Sequence, residues 1–485
     1  MKTLKKILII CTIFTLTANM IFPKSAWCIT IKEEEELSRE FMKMILRQVK
    51  VIKDPFIVNY VNKIGRKILS TLPPQPFEYK FHVIKANDYN AFAIPAGQIF
   101  IHSGLLMAME SEEELAGIIA HETAHVVCRH ISQKIERSSK ISLLTVAGIV
   151  AAIFLGAAGG SATASEAIGI SSMAAAQSLS LAYSREDERQ ADHRGLEYLS
   201  RAGYKASGLL NILKKIRDKR WFGPDLIPTY LTTHPAIEDR ITDIDTWLAS
   251  GRQQSAVSRQ QTDRDQSEFQ KARNRLIALY GDKETALKTF KEKITNNPED
   301  TAANHEYGLI LARTGNYKEA VIHLKKALEK RAFDAQTLKD LGRVYLLDGQ
   351  HPEALKSLKG ALSIEPNDPE GLLFMGRAQM ELKKFQKAAS VFEDLMEKYP
   401  DTRQDVLYPL AEAYGRQEKQ DKAHYYLGLF HDSRRDFKNA VFHLKNALKL
   451  TQDPEKKAEI EELLKEIQMK IKKQAPPKLK KKYKG

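Results

Sequence analysis

The chain has 485 residues, of which 43% are hydrophobic, so two or three packed domains are expected and a disordered chain is excluded. Its formal net charge of +14 is concentrated at the ends, in Lys2, Lys5 and Lys6 and in the lysine-rich stretch from Lys470 to Gly485. That tail has Tyr483 as its single aromatic residue, which argues against nucleic-acid binding and for a solvated segment or contact with an anionic membrane surface.

The basic start leads into an apolar run from Ile7 to Phe22, then Pro23, Ser25 and Ala26, the layout of a secretory signal peptide with cleavage near Cys28. An uncleaved membrane anchor is the alternative. A lipidated Cys28 fits less well, because Trp27 stands where a small residue is expected. Only Cys128 remains in the body of the chain, so no internal disulfide can form, and it reads as a small packed side chain.

Glu33 to Leu72 has helical periodicity, and Tyr79 to Ser103 alternates apolar residues at Phe81, Val83, Ile99 and Ile101 as strands do. From Ser111 onward the pattern is helical again, which predicts an α+β domain with one small sheet against a helical body. The segment Gly97 to His102, entered through Pro95, Ala96 and Gly97, has two readings: an open sheet edge to which an extended substrate adds, or an ordinary edge strand.

Ser111 and Glu114 spell a capping box, and the helix they open carries AHETAHVVCRH. His121, Glu122 and His125 form H-E-x-x-H: residues four apart share a helix face, so two imidazoles can bind one zinc ion while Glu122 stands beside it as general base toward water. A catalytic zinc site needs a third protein ligand. A histidine ten residues after His121 is absent, since that position is Ile131 and His130 is one residue off. Glu188, in SREDERQAD, is the candidate, with Asp192 one turn on to accept a hydrogen bond from a ligand histidine. From spacing alone Glu188 fits a solvated acidic face equally well.

Between these helices lie an apolar stretch, Ile141 to Ala158, and a small-residue stretch, Gly159 to Ala182. A single membrane crossing there would separate His125 from Glu188. Either both stretches cross as a hairpin or, as the serines and Glu166 favour, they form an apolar cover near the site that touches a membrane surface or partner. His234 precedes Pro235, so it sits in an extended or turn backbone from which its imidazole can project.

Residues 250–266, rich in Gln, Ser and Arg, read as a linker. Beyond them Gly308, Gly342 and Gly376 recur at intervals of 34 residues, as do Ala286, Ala320, Ala354 and Ala388, the period of a tetratricopeptide helix pair. After Pro400 the register slips by one residue, and a last unit surrounds Ala440, Leu444 and Ala447. The predicted partition is a signal at 1–28, a peptidase domain at 29–249, a linker at 250–266, repeats at 267–455, and a helix with a lysine tail at 456–485.

From Asp54 to Ile241 the sequence resembles the gluzincin metallopeptidases of the HtpX and CAAX prenyl protease type. The resemblance rests on DPFIVNYVNKIG, NAFAIPAGQIFIHSGL, HETAHVVCRH, ERQAD and THPAIEDRI. It implies a zincin-like fold, Glu188 as third zinc ligand, and the His234 loop over the active site. There His234 has three possible roles: a fourth ligand that holds the site shut, a donor to the oxyanion, or a loop anchor. A leader, this domain and repeats in that order imply a periplasmic zinc endopeptidase acting on stalled or misassembled outer-membrane proteins, with repeats that recruit protein substrates or the outer-membrane assembly machinery. A chaperone or scaffold acting through the repeats alone is the rival.

Overall fold

The computed structural model describes residues 29–137, 183–219, 228–250 and 259–474. The leader, the stretch 141–182 and the part of the lysine tail beyond residue 474 lie outside them. The chain divides into two compact units, Met1–Gly281 and Asp282–Gly485.

In the first unit the helices are α1 (Ile31–Gln48), α2 (Pro55–Leu69), α3 (Ser103–Ala108), α4 (Glu112–Val127), α5 (His130–Arg137), α6 (Arg185–Arg201), α7 (Ser207–Lys219), α8 (Thr229–Thr233), α9 (Ile237–Ala249) and α10 (Arg259–Tyr280). Three strands, β1 (Lys80–Ile84), β2 (Ala91–Ile94) and β3 (Gln98–His102), form one sheet in the order β1-β3-β2. β1 runs parallel to β3, and β2 runs antiparallel to it, with Phe92 opposite Phe100. Both faces of the sheet are buried. Ile99, Ile101, Ala91 and Ala93 face the core with Ile57, Val61 and Ile64 of α2, while Phe92, Ile94 and Phe100 pack on Leu37, Phe41 and Ile45 of α1.

The order of the strands corrects the expected edge. β3, Gln98–His102, is central and has a partner on each side; β2 is the outer strand next to it. The turn between them places Ala96 and Gly97 at φ 58 and 80, left-handed values that reverse the chain in three residues.

α4 is the innermost helix, buried at nearly every position from Glu112 to Val126. Ser111 caps it by accepting from the Glu114 N–H at 3.3 Å. The reciprocal half of the expected capping box is absent, because the Glu114 carboxylate accepts from Glu110 N–H at 2.7 Å and pairs with Lys215. Gly117 lets α7 approach: a Cβ there would meet the Leu209 backbone nitrogen at 2.7 Å. α6 opens with a true capping box between Ser184 and Asp187 and lies across α4, with Gly195 against the His121 backbone.

Helix α10 starts at Arg259 inside the expected linker and runs on through residues expected to open the repeats, yet it belongs to the first unit. Its polar residues are what hold it there. Gln266 and Gln270 donate to Glu110 O at 2.7 and 3.0 Å, Arg275 pairs with buried Asp54 at 2.8 Å, and Phe269, Ala272 and Leu276 enter the core.

The second unit consists of α11 (Lys283–Asn296), α12 (Thr301–Arg313), α13 (Tyr317–Glu329), α14 (Ala335–Leu347), α15 (His351–Ile364), α16 (Pro369–Glu381), α17 (Phe385–Lys398), α18 (Arg403–Gly415), α19 (Gln420–Ser433), α20 (Phe437–Leu450) and α21 (Pro454–Gln474). Gly308, Gly342 and Gly376 each face a large side chain sixteen residues on: a Cβ would meet Leu324, Leu358 and Phe392 at 2.8, 2.5 and 2.4 Å. The same contact recurs between Gly428 and Leu444 at 2.6 Å, but 52 residues after Gly376, so α18 interrupts the alternation. α21 closes the array by packing Ile460, Leu464 and Ile467 on the preceding helices. No helix among the described residues is long and apolar enough to cross a membrane.

Candidate metal centre

His121 and His125 lie one turn apart on α4, and their Nε2 atoms are 3.0 Å apart. α6 brings Glu188 to them: Oε2 is 3.5 Å from His121 Nε2 and Oε1 is 3.5 Å from His125 Nε2. The turn after α8 adds His234, whose Nδ1 is 3.0 Å from Glu188 Oε1 and 3.5 Å from His121 Nε2. One ligand atom from each of the four falls within 4.8 Å of the others, and all four residues are buried. Ala236, at φ 60, turns the chain back into α9.

Two histidine lone pairs and a carboxylate aimed at one point in a dry core repel each other unless a cation or proton lies between them. The donor set, nitrogen and oxygen with a count of three or four, is that of zinc. Both oxygens of Glu122, fully buried beside the set, and His234 Nε2 have no hydrogen-bond partner among the described residues. The nearest such pairing is His234 Nε2 to Glu122 Oε1 at 3.6 Å. These groups keep hydrogen-bonding capacity that water or a peptide can take up.

The outward nitrogens of the two α4 histidines are held in place. His121 Nδ1 meets Asp192 Oδ1 at 2.8 Å, and His125 Nδ1 meets His130 Nδ1 at 2.8 Å, while His130 Nε2 is tied to Gln190 Oε1 at 2.8 Å. Tyr183 stacks on His125 and Tyr230 on His234, with ring centroids 3.6 and 4.1 Å apart.

Arg240 of α9 is the group that sequence reasoning passed over. It is 3% exposed, grips Asp192 through Nε and Nη2 at 2.7 and 2.8 Å, and reaches Glu188 Oε2 through Nη1 at 2.6 Å. One guanidinium fork therefore sets both carboxylates of the E-x-x-x-D pair. The available signal was its place in THPAIEDRI: a lone arginine six residues after His234 in an otherwise apolar helix face.

Electrostatics follow from this pairing. Burial acts to raise Glu188, but Arg240 and His234 outweigh it and hold the carboxyl well below its usual range. Asp192 is lowered in the same way by Arg240 and His121 against burial. Glu122 has no such partner, and burial pushes it up, against His234 and His121, as a carboxylate that must take and release a proton requires. Burial and the Arg240 charge oppose protonation of His121, yet Asp192 and Glu188 raise it to about 9, so cation binding here is coupled to proton release.

A mainly helical α+β domain with a buried H-E-x-x-H helix, a facing E-x-x-x-D helix and a following tetratricopeptide solenoid defines the class, a zincin-like metallopeptidase with repeats. Residues 58–248 match the family model Peptidase family M48, and residues 299–366 and 345–411 match tetratricopeptide repeat models. Over those residues the chain is similar to Peptidase family M48 and then to tetratricopeptide repeats, and zinc, which that family uses, suits the donor set present. Among curated relatives, a Vibrio cholerae protein carrying the beta-barrel assembly-enhancing protease name is 31% identical over 219 residues, 44% of each chain. The beta-barrel assembly-enhancing protease of Escherichia coli K12 is 25% identical over 252 residues, 52% of this chain and 50% of its own. Mitochondrial metalloendopeptidase OMA1 of Schizosaccharomyces pombe is 29% identical over 190 residues, 39% of this chain and 52% of its own. This chain spans about half the length of the relatives it matches.

Proposed function

We propose that the protein is a zinc-dependent endopeptidase exported to the periplasm, where it degrades stalled or misassembled outer-membrane proteins that its repeats help to recruit. The observation that carries the enzymatic reading is the convergence of His121, His125 and Glu188 beside an unpaired, buried Glu122. The location and the client class rest on the leader-like start and on what the names of the relatives say of those proteins.

His121, His125 and Glu188 would hold the metal. Zinc bound there supplies Lewis-acid chemistry, polarising a peptide carbonyl and acidifying water. Glu122 takes the proton from the attacking water and passes it to the departing amine, and its raised affinity for protons suits both transfers. Asp192 and His130 keep the two imidazoles in the tautomer that turns Nε2 inward. β2, the outer strand next to α4, offers the backbone along which an extended peptide would align, in place of β3.

With His234 in the group, four donors are present, the number of a closed site rather than of one open to water. His234 is therefore assigned as a gate that occupies the set at rest and withdraws for turnover. Casein digestion by the purified protein tests the whole reading. Cleavage that a chelator stops, and that His234→Ala raises several-fold, is expected. No cleavage by either form would leave the scaffold reading in its place, and a large loss on His234→Ala with zinc retained would instead make this residue a donor to the oxyanion.

A further inference from the structure

The described residues begin at Ile29, and that residue is already engaged. Its N–H donates to Glu136 Oε1 at 2.8 Å, and its carbonyl accepts from Arg129 Nη2 at 2.6 Å. Arg129 in turn pairs through Nε with Glu34 Oε1 at 2.7 Å, a carboxylate only 1% exposed, and stands 3.8 Å from Glu136. Arg129 takes a left-handed φ of 55 to do so, strain that a non-glycine residue accepts only where contacts hold it. The next residue, Thr30, caps α1 in a closed capping box with Glu33, so the position of Ile29 is fixed relative to that helix.

Just before it the sequence reads Ala26-Trp27-Cys28, small residues at the third and first places ahead of Ile29, as a leader peptidase requires. We propose that the Glu136–Arg129 pair is a receptor for the chain's own amino terminus, created by cleavage of the Cys28–Ile29 bond. Water adds across that peptide: the carboxylate leaves on Cys28 with the leader, and Ile29 keeps the amine, which is protonated at neutral pH. Before cleavage Glu34, Arg129 and Glu136 sum to one negative charge around a neutral amide; the new ammonium brings the cluster to neutrality and turns a neutral donor into a charged one.

The consequence reaches the metal group. Arg129 lies immediately before α5 and Glu136 lies in its last turn, so one residue, Ile29, ties both ends of this helix. α5 carries His130, the support of His125 Nδ1. The docked terminus is a strut that sets α5, and through His130 the orientation of His125, once the leader is gone.

The inference rests on the export reading, and its test separates the two. The full chain is exported from a bacterial host, purified, weighed intact, and acylated at its α-amine near neutral pH. Expected are a chain that starts at Ile29 and an α-amine that reacts roughly tenfold more slowly than in Glu136→Gln, because an opposite charge at contact raises the amine pKa by about one unit. Should Glu136→Gln fail to fold, one alanine inserted between Cys28 and Ile29 displaces the amine with every side chain intact, and the same loss of protection is expected. A retained leader or a lipidated Cys28 would overturn both the processing site and the docking. A chain that starts at Ile29 but is acylated equally in native and variant forms would overturn the docking alone.

Discussion

The two units pack helices on helices with opposite chemistry. In the first, α4 buries His121, Glu122 and His125, and three other segments bring Glu188, Asp192, His234 and Arg240 to the same spot, all at 5% exposure or less. In the second, the recurring contact is a glycine against a leucine or phenylalanine on the next helix, repeated at Gly308, Gly342, Gly376 and Gly428. A repeated apolar contact stabilises each unit of the array separately, and loss of one is felt locally. A buried charge cluster is stable only as a whole, because each member is the counter-charge of another. The repeated contact suits an adaptable surface, and the charge cluster suits a rigid reactive site.

Substitutions on each side break this contrast in order of effect. Glu122→Gln keeps the ligands and removes the base, so casein cleavage is expected to fall on the order of 10²–10⁴-fold with zinc retained. A variant that cuts at the normal rate would place the base elsewhere. Arg240→Met strips Glu188 and Asp192 of their shared guanidinium while keeping volume. Unfolding in urea is expected to show the first unit destabilised by about 3–5 kcal/mol, and a loss below about 1 kcal/mol would mean that the carboxylates find other partners. Gly342→Val, which forces a side chain onto Leu358, is expected to cost only about 1–3 kcal/mol, confined to the repeats. Adding Leu358→Ala to it should return part of that loss; if the pair is additive, the two positions do not touch.

The same contrast explains what the sequence disclosed. The repeats were legible because their contacts recur every 34 residues, and H-E-x-x-H was legible because a helix brings residues four apart together without help from the rest of the chain. Asp192, four residues from Glu188, belongs to the same kind of local signal. Arg240 lies 119 residues from His121, and although its place on an apolar helix face hints at burial, nothing local shows which carboxylates it meets. His130 was weighed as a misplaced ligand, whereas it stands behind His125. The order of the sheet was missed for a similar reason: β3 has the alternation of any strand, and its central place depends on a parallel pairing with β1 that no local pattern encodes. Helix α10 was divided between the expected linker and the expected repeats because the distant backbone that Gln266, Gln270 and Arg273 bind is not visible in its own residues.

The central claim is that His121, His125 and Glu188 together hold one catalytic zinc ion. Metal analysis of the purified protein, of Glu122→Gln and of Glu188→Gln addresses it directly. About one zinc per chain is expected in the first two and little in the third, because only Glu188→Gln removes a ligand. Full zinc in Glu188→Gln, or none in the native protein when folded, would contradict it.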